Sequence, residues 1–278
     1  MKAIKNLYWE LRKHPDEALE ILLQPLVPSY RTRRKYNSEL AYWRRELAIL
    51  DSWYNKKECD WWGIAPPDDS QKSSTHEIWV TNAVSTLNTM YPHMFEELLV
   101  EQDAFRGQRI LEIGCGPMVP VLQFAGCERH GLDPLVNSYI KSGWPLFDYD
   151  ATIIDGYGEH MPYPDAYFDA VVARNSLDHV DDLGRVAEQI ARVLKPGGSF
   201  HCVVEYHEPT LEEPQRLDDE VFASAFTKLR PQKIRDRSKG ELISDLAGKH
   251  PALSVPDLLK RIGSAEGPRN IVWHGRKP

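Results

Sequence analysis

The chain lacks the features of a membrane, secreted or broadly nucleic-acid-binding protein. No apolar run approaches the roughly 20 residues that a transmembrane helix requires, and the first residues lack the apolar core of a secretory signal. Net positive charge is also missing: the 278 residues carry a formal charge of −7, whereas broad binding of phosphates needs a positive field. We therefore expect a soluble, cytoplasmic protein without a membrane span, and we do not expect nucleic acid as its partner.

Cysteine is scarce and scattered, without the spacing of a metal site or of a disulfide framework. We expect reduced, mostly buried thiols and no bound metal. Internal repeats and low-complexity runs are absent as well. The cysteines are Cys59, Cys115, Cys127 and Cys202.

A short apolar strand runs into a glycine turn near the middle of the chain. Residues Arg109–Ile113 form an apolar run of the kind that a strand buried on both faces requires. Gly114 and Gly116 follow it, and glycine permits positive φ and close approach of the backbone to a ligand. A helix over Val119–Phe124 is expected next, which would aim amide donors at that ligand.

A carboxylate follows the next predicted strand. Asp133 lies twenty residues after Ile113, and a carboxylate at a strand end can accept hydrogen bonds from both hydroxyls of a ribose. The ends of two neighbouring strands would then hold one nucleoside.

Strands and helices continue to alternate after Asp133. The pattern predicts strands at Thr152–Ile154 and Asp169–Ala173, a helix over Asp182–Leu194 that ends at KPGG, and a strand at Ser199–Val204. Repeated β-α units with right-handed crossovers give a parallel sheet.

Four ordered motifs between about residues 107 and 206 resemble those of the class I S-adenosylmethionine-dependent methyltransferases, in their small-molecule, methyltransferase type 11-like branch. The motifs are EIGCGP, GLD, GYGEHMPYPDAYFD and RVLKPGG. The resemblance implies an α/β, Rossmann-like, seven-stranded, mostly parallel sheet with an antiparallel last strand. Gln232–Arg237 and Asn270–His274 would be its last two strands.

The resemblance also implies S-adenosylmethionine as the cofactor and S-adenosylhomocysteine as the product. Glu112 and the two glycines would line the methionine end, Asp133 would bind the ribose, and Gly158 would lie at the adenine edge. Tyr157 stands where the family often has an acidic residue, so adenine would be held by stacking or by the phenol hydroxyl; Met118 replaces a third glycine. The full predicted cofactor set is Glu112, Gly114, Cys115, Gly116, Asp133, Pro134, Tyr157, Gly158, Arg174 and Asn175.

Two histidines are candidates for a catalytic base. Ligands of open α/β sheets gather at the carboxyl ends of the strands, where His179, with Asp178 beside it, and His207 are expected. A neutral imidazole can take a proton from a hydroxyl; the alternative is that His179 only packs against the next helix. Asp178, Asp181 and Asp182 resemble a metal-binding carboxylate cluster, but their place at a helix start favours capping.

We assign residues 1–100 to a tryptophan-rich helical extension and lid, and residues 101–278 to the cofactor-binding domain. The extension would comprise two short helices within residues 5–24, a helix over Ser38–Tyr54, a loop at 59–75 and a helix from His76 to Val100. Its tryptophans either attach these helices to the sheet or form an aromatic wall for the acceptor. The basic segment around Arg31–Lys35 is interpreted as a solvated helical face.

An insertion at 238–269, with a helix over Pro256–Ile262, would add to the acceptor wall or form a homodimer contact. The sequence leaves that choice open.

The expected function is transfer of a methyl group to a small molecule or a sugar unit, at oxygen. The two histidines favour oxygen, as does the sequence ARNS at 173–176, where amino-methylating enzymes of nucleic acids and proteins carry a different motif. Two alternatives remain: an N-methyltransferase of an amine or RNA, and a non-catalytic S-adenosylmethionine-binding scaffold or regulatory subunit.

Overall fold

The computed structural model describes residues 28–56, 80, 83–88, 91, 94–207, 213, 215–236, 241–245 and 269–278. One mixed sheet organises them. Its strands are β1 (Arg109–Ile113), β2 (Glu128–Asp133), β3 (Thr152–Asp155), β4 (Phe168–Arg174), β5 (Leu194–Tyr206), β6 (Arg230–Asp236), β7 (Glu241–Asp245) and β8 (Arg269–Arg276). The helices are α1 (Pro28–Lys56), α2 (Met94–Glu97), α3 (Val136–Lys141), α4 (Leu183–Val193) and α5 (Asp219–Ala225).

The strand order is β3-β2-β1-β4-β5-β8-β6-β7. Strands β1 to β5 pair in parallel, and β8 runs antiparallel between β5 and β6. The predicted Rossmann-like sheet with an antiparallel last strand is confirmed. The structure adds an eighth strand to the seven expected. Strand β7 in the insertion pairs antiparallel with β6, which would otherwise be the edge strand, and thereby covers hydrogen-bonding groups that an edge leaves open.

Strand β1 is buried because its alternating side chains enter two separate cores. Leu111 and Ile113 belong to the cluster that also contains the apolar face of α4. Ile110 belongs to the cluster on the other face of the sheet, with Leu50 of α1 and Tyr139 of α3. A strand covered on both faces reads as a continuous apolar run, which is why the sequence pattern located it.

Helix α4 begins at a capped end and ends at the KPGG motif. The side chain of Asp182 accepts a hydrogen bond of 2.9 Å from the amide of Arg185, which satisfies a donor that the first turn leaves unpaired. The helix ends at Val193, one residue before the predicted end at Leu194. The following strand begins earlier than expected, at Leu194 instead of Ser199, because Phe168 of β4 already pairs with Leu194 before the register shifts.

Helix α1 contains the predicted helix Ser38–Tyr54 and extends it at both ends. Leu40 and Leu50 are buried as the helical period predicted, and the Trp43 ring packs edge-on against Trp144, with ring centroids 5.9 Å apart. None of the helices within the described residues is long and apolar enough to cross a membrane.

Part of the predicted front helix from His76 to Val100 is described. Residues 83–88 are helical, and the last helical turn ends at Glu97 and not at Val100, because Leu99 takes a positive φ of 56°. The predicted helices within 5–24, the loop at 59–75 and the helix Pro256–Ile262 lie outside the described residues.

Candidate active site

The glycine turn after β1 brings the backbone against the end of β4. Gly114 has φ +66°, and a Cβ built on it would lie 2.4 Å from the Cβ of Ser176. The Ser176 hydroxyl in turn donates a hydrogen bond of 2.8 Å to the carbonyl of Ile113. Only glycine allows this approach, so the turn joins two strand ends at the site.

The prediction of a helix over Val119–Phe124 is wrong, because Pro120–Gln123 form a single 3-10 turn. Pro117 and Pro120 each lack an amide donor and restrict the residue before them, and Val119 takes a φ of +52°. The amide of Val121 donates to Glu112 Oε2 over 2.7 Å. An amide of the segment that was expected to face a ligand therefore binds the carboxylate of Glu112.

Two buried carboxyl groups stand at the ends of β1 and β2. Glu112 is 2% exposed and Asp133 4%. Burial raises the pKa of Glu112 to about 8. Burial, followed by the negative field of Glu39, raises the pKa of Asp133 to about 7. These carboxyls change charge near neutral pH.

A crevice runs along the carboxyl ends of β1 to β4, as expected for an open parallel sheet. Gly114 and Asp133 both line it, so the glycine turn and the second strand end face one ligand space. We call this space the cofactor crevice. Its walls are formed by Lys35, Tyr36, Glu39, Ile113, Gly114, Leu132, Asp133, Pro134, Gly156, Tyr157, Gly158, Glu159, Asn175, Ser176, His179, Val180 and Asp181.

A second cavity adjoins the cofactor crevice and has a more aromatic wall. Tyr42, Trp43 and Tyr91 contribute rings to it, and Arg174 lies 4.6 Å from the centroid of the Tyr91 ring. All ten residues predicted to bind the cofactor line one of the two cavities. In the second cavity these are Glu112, Gly114, Cys115, Gly116, Arg174 and Asn175.

Helix α1 supplies residues that the sequence interpretation missed. Lys35 is 4% exposed; its ammonium donates to the carbonyl of His179 and lies 3.8 Å from Asp181 Oδ1. The interpretation of the basic segment as a solvated face is therefore wrong at Lys35. Glu39 accepts a hydrogen bond of 3.0 Å from the hydroxyl of Tyr139.

Tyr157 is partly covered by α1 at the predicted adenine edge. Its ring lies 6.2 Å from that of Tyr36, at an angle of 52°, while 44% of the residue stays exposed. Gly158 next to it is tightly packed, since a Cβ there would lie 3.2 Å from Val186 Cγ2. The two tyrosines form an aromatic edge of the crevice. Tyr36 lies four residues before the buried Leu40 on α1, and this helical spacing is the signal that could have located it.

Asp178, Asp181 and Asp182 do not form the metal-binding cluster that they resemble in sequence. Asp182 caps α4, as its position predicted. Asp181 faces Lys35, and its amide donates to Glu159 Oε1 over 2.8 Å. Asp178 turns inward and is 2% exposed; burial raises the pKa of its carboxyl.

The predicted catalytic residues come together around a carboxylate that the sequence did not indicate. His179 lines both cavities, whereas Asp178 and His207 lie behind it. Glu213, from the segment between β5 and α5, approaches His179 Nε2 to 3.9 Å and His207 Nε2 to 3.4 Å. No periodicity marks Glu213, because this residue lies in neither a helix nor a strand.

The sheet and the two cavities define a Rossmann-like domain with a crevice at the carboxyl ends of its parallel strands. A family of methyltransferase domains matches residues 111–202, which run from β1 into β5. These residues, about a third of the chain, are thus similar to a methyltransferase domain.

Characterised relatives are similar to parts of the chain. 27-O-demethylrifamycin SV methyltransferase of Amycolatopsis mediterranei is 37% identical over 99 residues, 33% of this chain and 36% of that protein. The C-methyltransferase UbiE of ubiquinone and menaquinone biosynthesis in Vibrio parahaemolyticus is 27% identical over 52% of this chain and 59% of that protein. O-methyltransferase resE of Aspergillus sclerotiorum is 26% identical over 54% and 67%, respectively. The chain thus spans between 36% and 67% of the length of these relatives.

A solved structure shares the fold. Geranyl diphosphate C-methyltransferase of Streptomyces coelicolor A3(2), in complex with Mg²⁺, geranyl diphosphate and S-adenosyl-L-homocysteine, superposes with a TM-score of 0.50 at 16% identity. The match covers 77% of this chain and 90% of that one.

Proposed function

We propose that the protein transfers a methyl group from S-adenosylmethionine to an oxygen atom of a small molecule or a sugar unit. The observation that carries this proposal is the shared wall of the two cavities. Glu39, Gly114, Asn175 and His179 line both of them. A cofactor with its nucleoside in the crevice and its methionine end reaching into the second cavity would therefore meet an acceptor in that cavity beside His179.

The chain's own residues have to bind and orient the cofactor. S-adenosylmethionine supplies an activated methyl group on its sulfonium. Asp133 would accept hydrogen bonds from the ribose hydroxyls, and its carboxylate is already oriented by the amides of Gly116 and Leu135. Tyr157 and Tyr36 would flank the adenine, and Glu112 and Arg174 would lie toward the methionine end.

The acceptor would be held by aromatic side chains of α1. Tyr42 and Trp43 line the second cavity, and flat rings and sugar faces pack well on such surfaces. Trp43 also packs on Trp144. It would therefore both attach α1 to the rest of the domain and form part of an aromatic wall for the acceptor. We propose that the helical extension selects the acceptor.

Methylation at oxygen requires removal of a proton from the acceptor hydroxyl. His179 stands at the shared wall, and Asp178 lies 4.0 Å from its Nε2, where a carboxylate stabilises an imidazolium. His207 is the second candidate, 3.8 Å from Asp178 Oδ2. O-methyltransferases among the relatives support oxygen as the acceptor atom.

Calorimetric titration and turnover test the two halves of the proposal. We expect S-adenosylmethionine and S-adenosylhomocysteine to bind the purified chain and Asp133→Ala to weaken both. With a panel of phenols and sugars as acceptors, His179→Ala or His207→Ala should lower turnover by about 10²- to 10⁴-fold with cofactor affinity unchanged.

The exposed His160 provides a matched control in the 3-10 turn Gly158–His160, and His160→Ala should behave as the parent protein does. Unaltered turnover in both of the other histidine variants would exclude the assigned base. No binding of either cofactor form would contradict the function as a whole.

A further inference from the structure

Four side chains of the kinds that bind metals meet beside the shared wall of the cavities. They alternate: the Nε2 atom of each histidine faces one oxygen of each carboxylate. His179 Nε2 lies 4.0 Å from Asp178 Oδ1 and 3.9 Å from Glu213 Oε1. His207 Nε2 lies 3.8 Å from Asp178 Oδ2 and 3.4 Å from Glu213 Oε2. The two histidines thus face opposite oxygens of the same two carboxylates.

One of these oxygens is buried without a hydrogen bond. Asp178 is 2% exposed, and its Oδ1 atom has no hydrogen-bond partner among the residues that the structure describes. Leaving a carboxylate oxygen unsatisfied in the interior is costly. The same Oδ1 atom faces His179 Nε2, so a cation between them would satisfy it.

The spacing of the donor atoms suits a shared ion better than direct hydrogen bonds. One donor atom each from Asp178, His179 and Glu213 lie within 4.8 Å of one another. Ligands about 2.0 to 2.2 Å from a tetrahedral ion lie about 3.4 Å from each other. Separations of 3.9 and 4.0 Å therefore need only small side-chain rotations to close on an ion.

We propose that Asp178 Oδ1, His179 Nε2 and Glu213 Oε1 bind one divalent transition-metal cation. His207 Nε2 faces the outer oxygen of each carboxylate, where groups that orient metal ligands commonly lie. The imidazole ligand favours Zn²⁺, Fe²⁺ or Ni²⁺ over Ca²⁺, Mg²⁺ and Mn²⁺, which prefer oxygen. The side chains of His179 and Glu213 are each 34% exposed, so the ion has an entry path and a position open toward the acceptor.

The metal site is independent of the proposed methyl transfer, but a bound cation would change the role of His179 in it. A cation on His179 Nε2 occupies the lone pair that would otherwise accept a proton. The ion itself would bind an acceptor oxygen in its open position, which favours acceptors with a hydroxyl or carbonyl group.

The test is metal binding by the full chain, measured without any methyl transfer. After removal of metals with a chelator, Zn²⁺, Mn²⁺ and Mg²⁺ are titrated separately by calorimetry. We expect one Zn²⁺ per chain and much weaker binding of Mg²⁺. Glu213→Gln and His179→Asn should each weaken Zn²⁺ binding by about 100-fold or more, and His207→Asn by about 10-fold.

Control substitutions keep residue types matched. Glu188→Gln changes a half-exposed glutamate of α4, and His160→Asn changes an exposed histidine; both should bind Zn²⁺ as the parent does. Circular dichroism and cofactor titration show whether each variant is folded. The proposal is overturned if the folded parent binds no stoichiometric Zn²⁺, or if Glu213→Gln and His179→Asn both retain it. Neither result affects the evidence for methyl transfer, which comes from cofactor binding and turnover.

Discussion

The amide of Gly116 donates a hydrogen bond to Asp133 Oδ2 over 3.0 Å. The other oxygen of the same carboxylate accepts a bond of 2.8 Å from the amide of Leu135. The glycine turn after β1 therefore fixes the carboxylate at the end of β2. Two features that are seventeen residues apart in the sequence form one rigid element of the cofactor crevice.

We expect the free energy of unfolding of the cofactor-free protein to fall as the pH rises from about 5 to 9. Asp133 and Glu112 have folded pKa values raised to about 7 and about 8 by burial. A carboxyl with a raised folded pKa contributes stability that is complete below its unfolded value and is lost as pH rises through the folded value. For Asp133, the rise from 3.8 to about 7 corresponds to at most about 4 kcal/mol.

Urea unfolding at several pH values measures this slope. Asp133→Asn should reduce it and leave the part that comes from Glu112. If the variant and the parent lost stability with the same slope, Asp133 would not be the titrating group.

Substitution of Gly114 by alanine should be far more costly than the same change at Gly107. Both glycines have positive φ, +66° and +75°, and a Cβ costs about 1 to 2 kcal/mol in that region. Only Gly114 would also place its Cβ 2.4 Å from Ser176, whereas nothing lies within 4 Å at Gly107. The clash should add about 1 to 3 kcal/mol and weaken cofactor binding. Chemical denaturation of the two variants makes the comparison; equal losses would refute the close approach.

Lys35 should hold α1 against the crevice. Lys35→Met removes the ammonium that donates to the His179 carbonyl and faces Asp181. Because Asp181 is 56% exposed, most of the loss should come from the carbonyl, about 1 to 3 kcal/mol of unfolding free energy. Arg45→Gln, at a side chain on α1 that is 68% exposed, should change stability by less than about 0.5 kcal/mol. A Lys35 variant as stable as this control would show that the contact contributes nothing.

Arg192 should be a structural residue of the RVLKPGG motif. Its guanidinium donates to the carbonyls of Tyr163 and Met161 over 2.7 and 2.9 Å, and to Asp165 Oδ1 over 2.8 Å. Arg192→Lys cannot keep this fork of bonds, so we expect a loss of about 2 kcal/mol. The matched change is Arg185→Lys, at an exposed pair with Glu188. Thermal unfolding should separate the two variants, and similar melting temperatures would contradict this role.

Most of the sheet and α4 could be predicted because their signals are local. Strand β1 has the predicted bounds, and α4 starts at the predicted cap, since buried strands and amphipathic helices leave periodic patterns in short windows. The prediction of a helix at Val119–Phe124 was wrong because it gave more weight to the apolar residues than to Pro117 and Pro120. The eighth strand was missed because it is defined by its pairing with β6, which no local sequence pattern indicates.

The sequence by itself determined the alternation of strands and helices, the glycine turn and Asp133, because spacing within one β-α unit places these groups. Only the tertiary structure decided that Lys35 reaches His179, 144 residues further along the chain, and that Glu213 joins Asp178 and His179. Such contacts depend on how α1 packs on the sheet and on where Glu213 lies. No local pattern encodes them, because each pairs side chains that are close in space and distant in the chain.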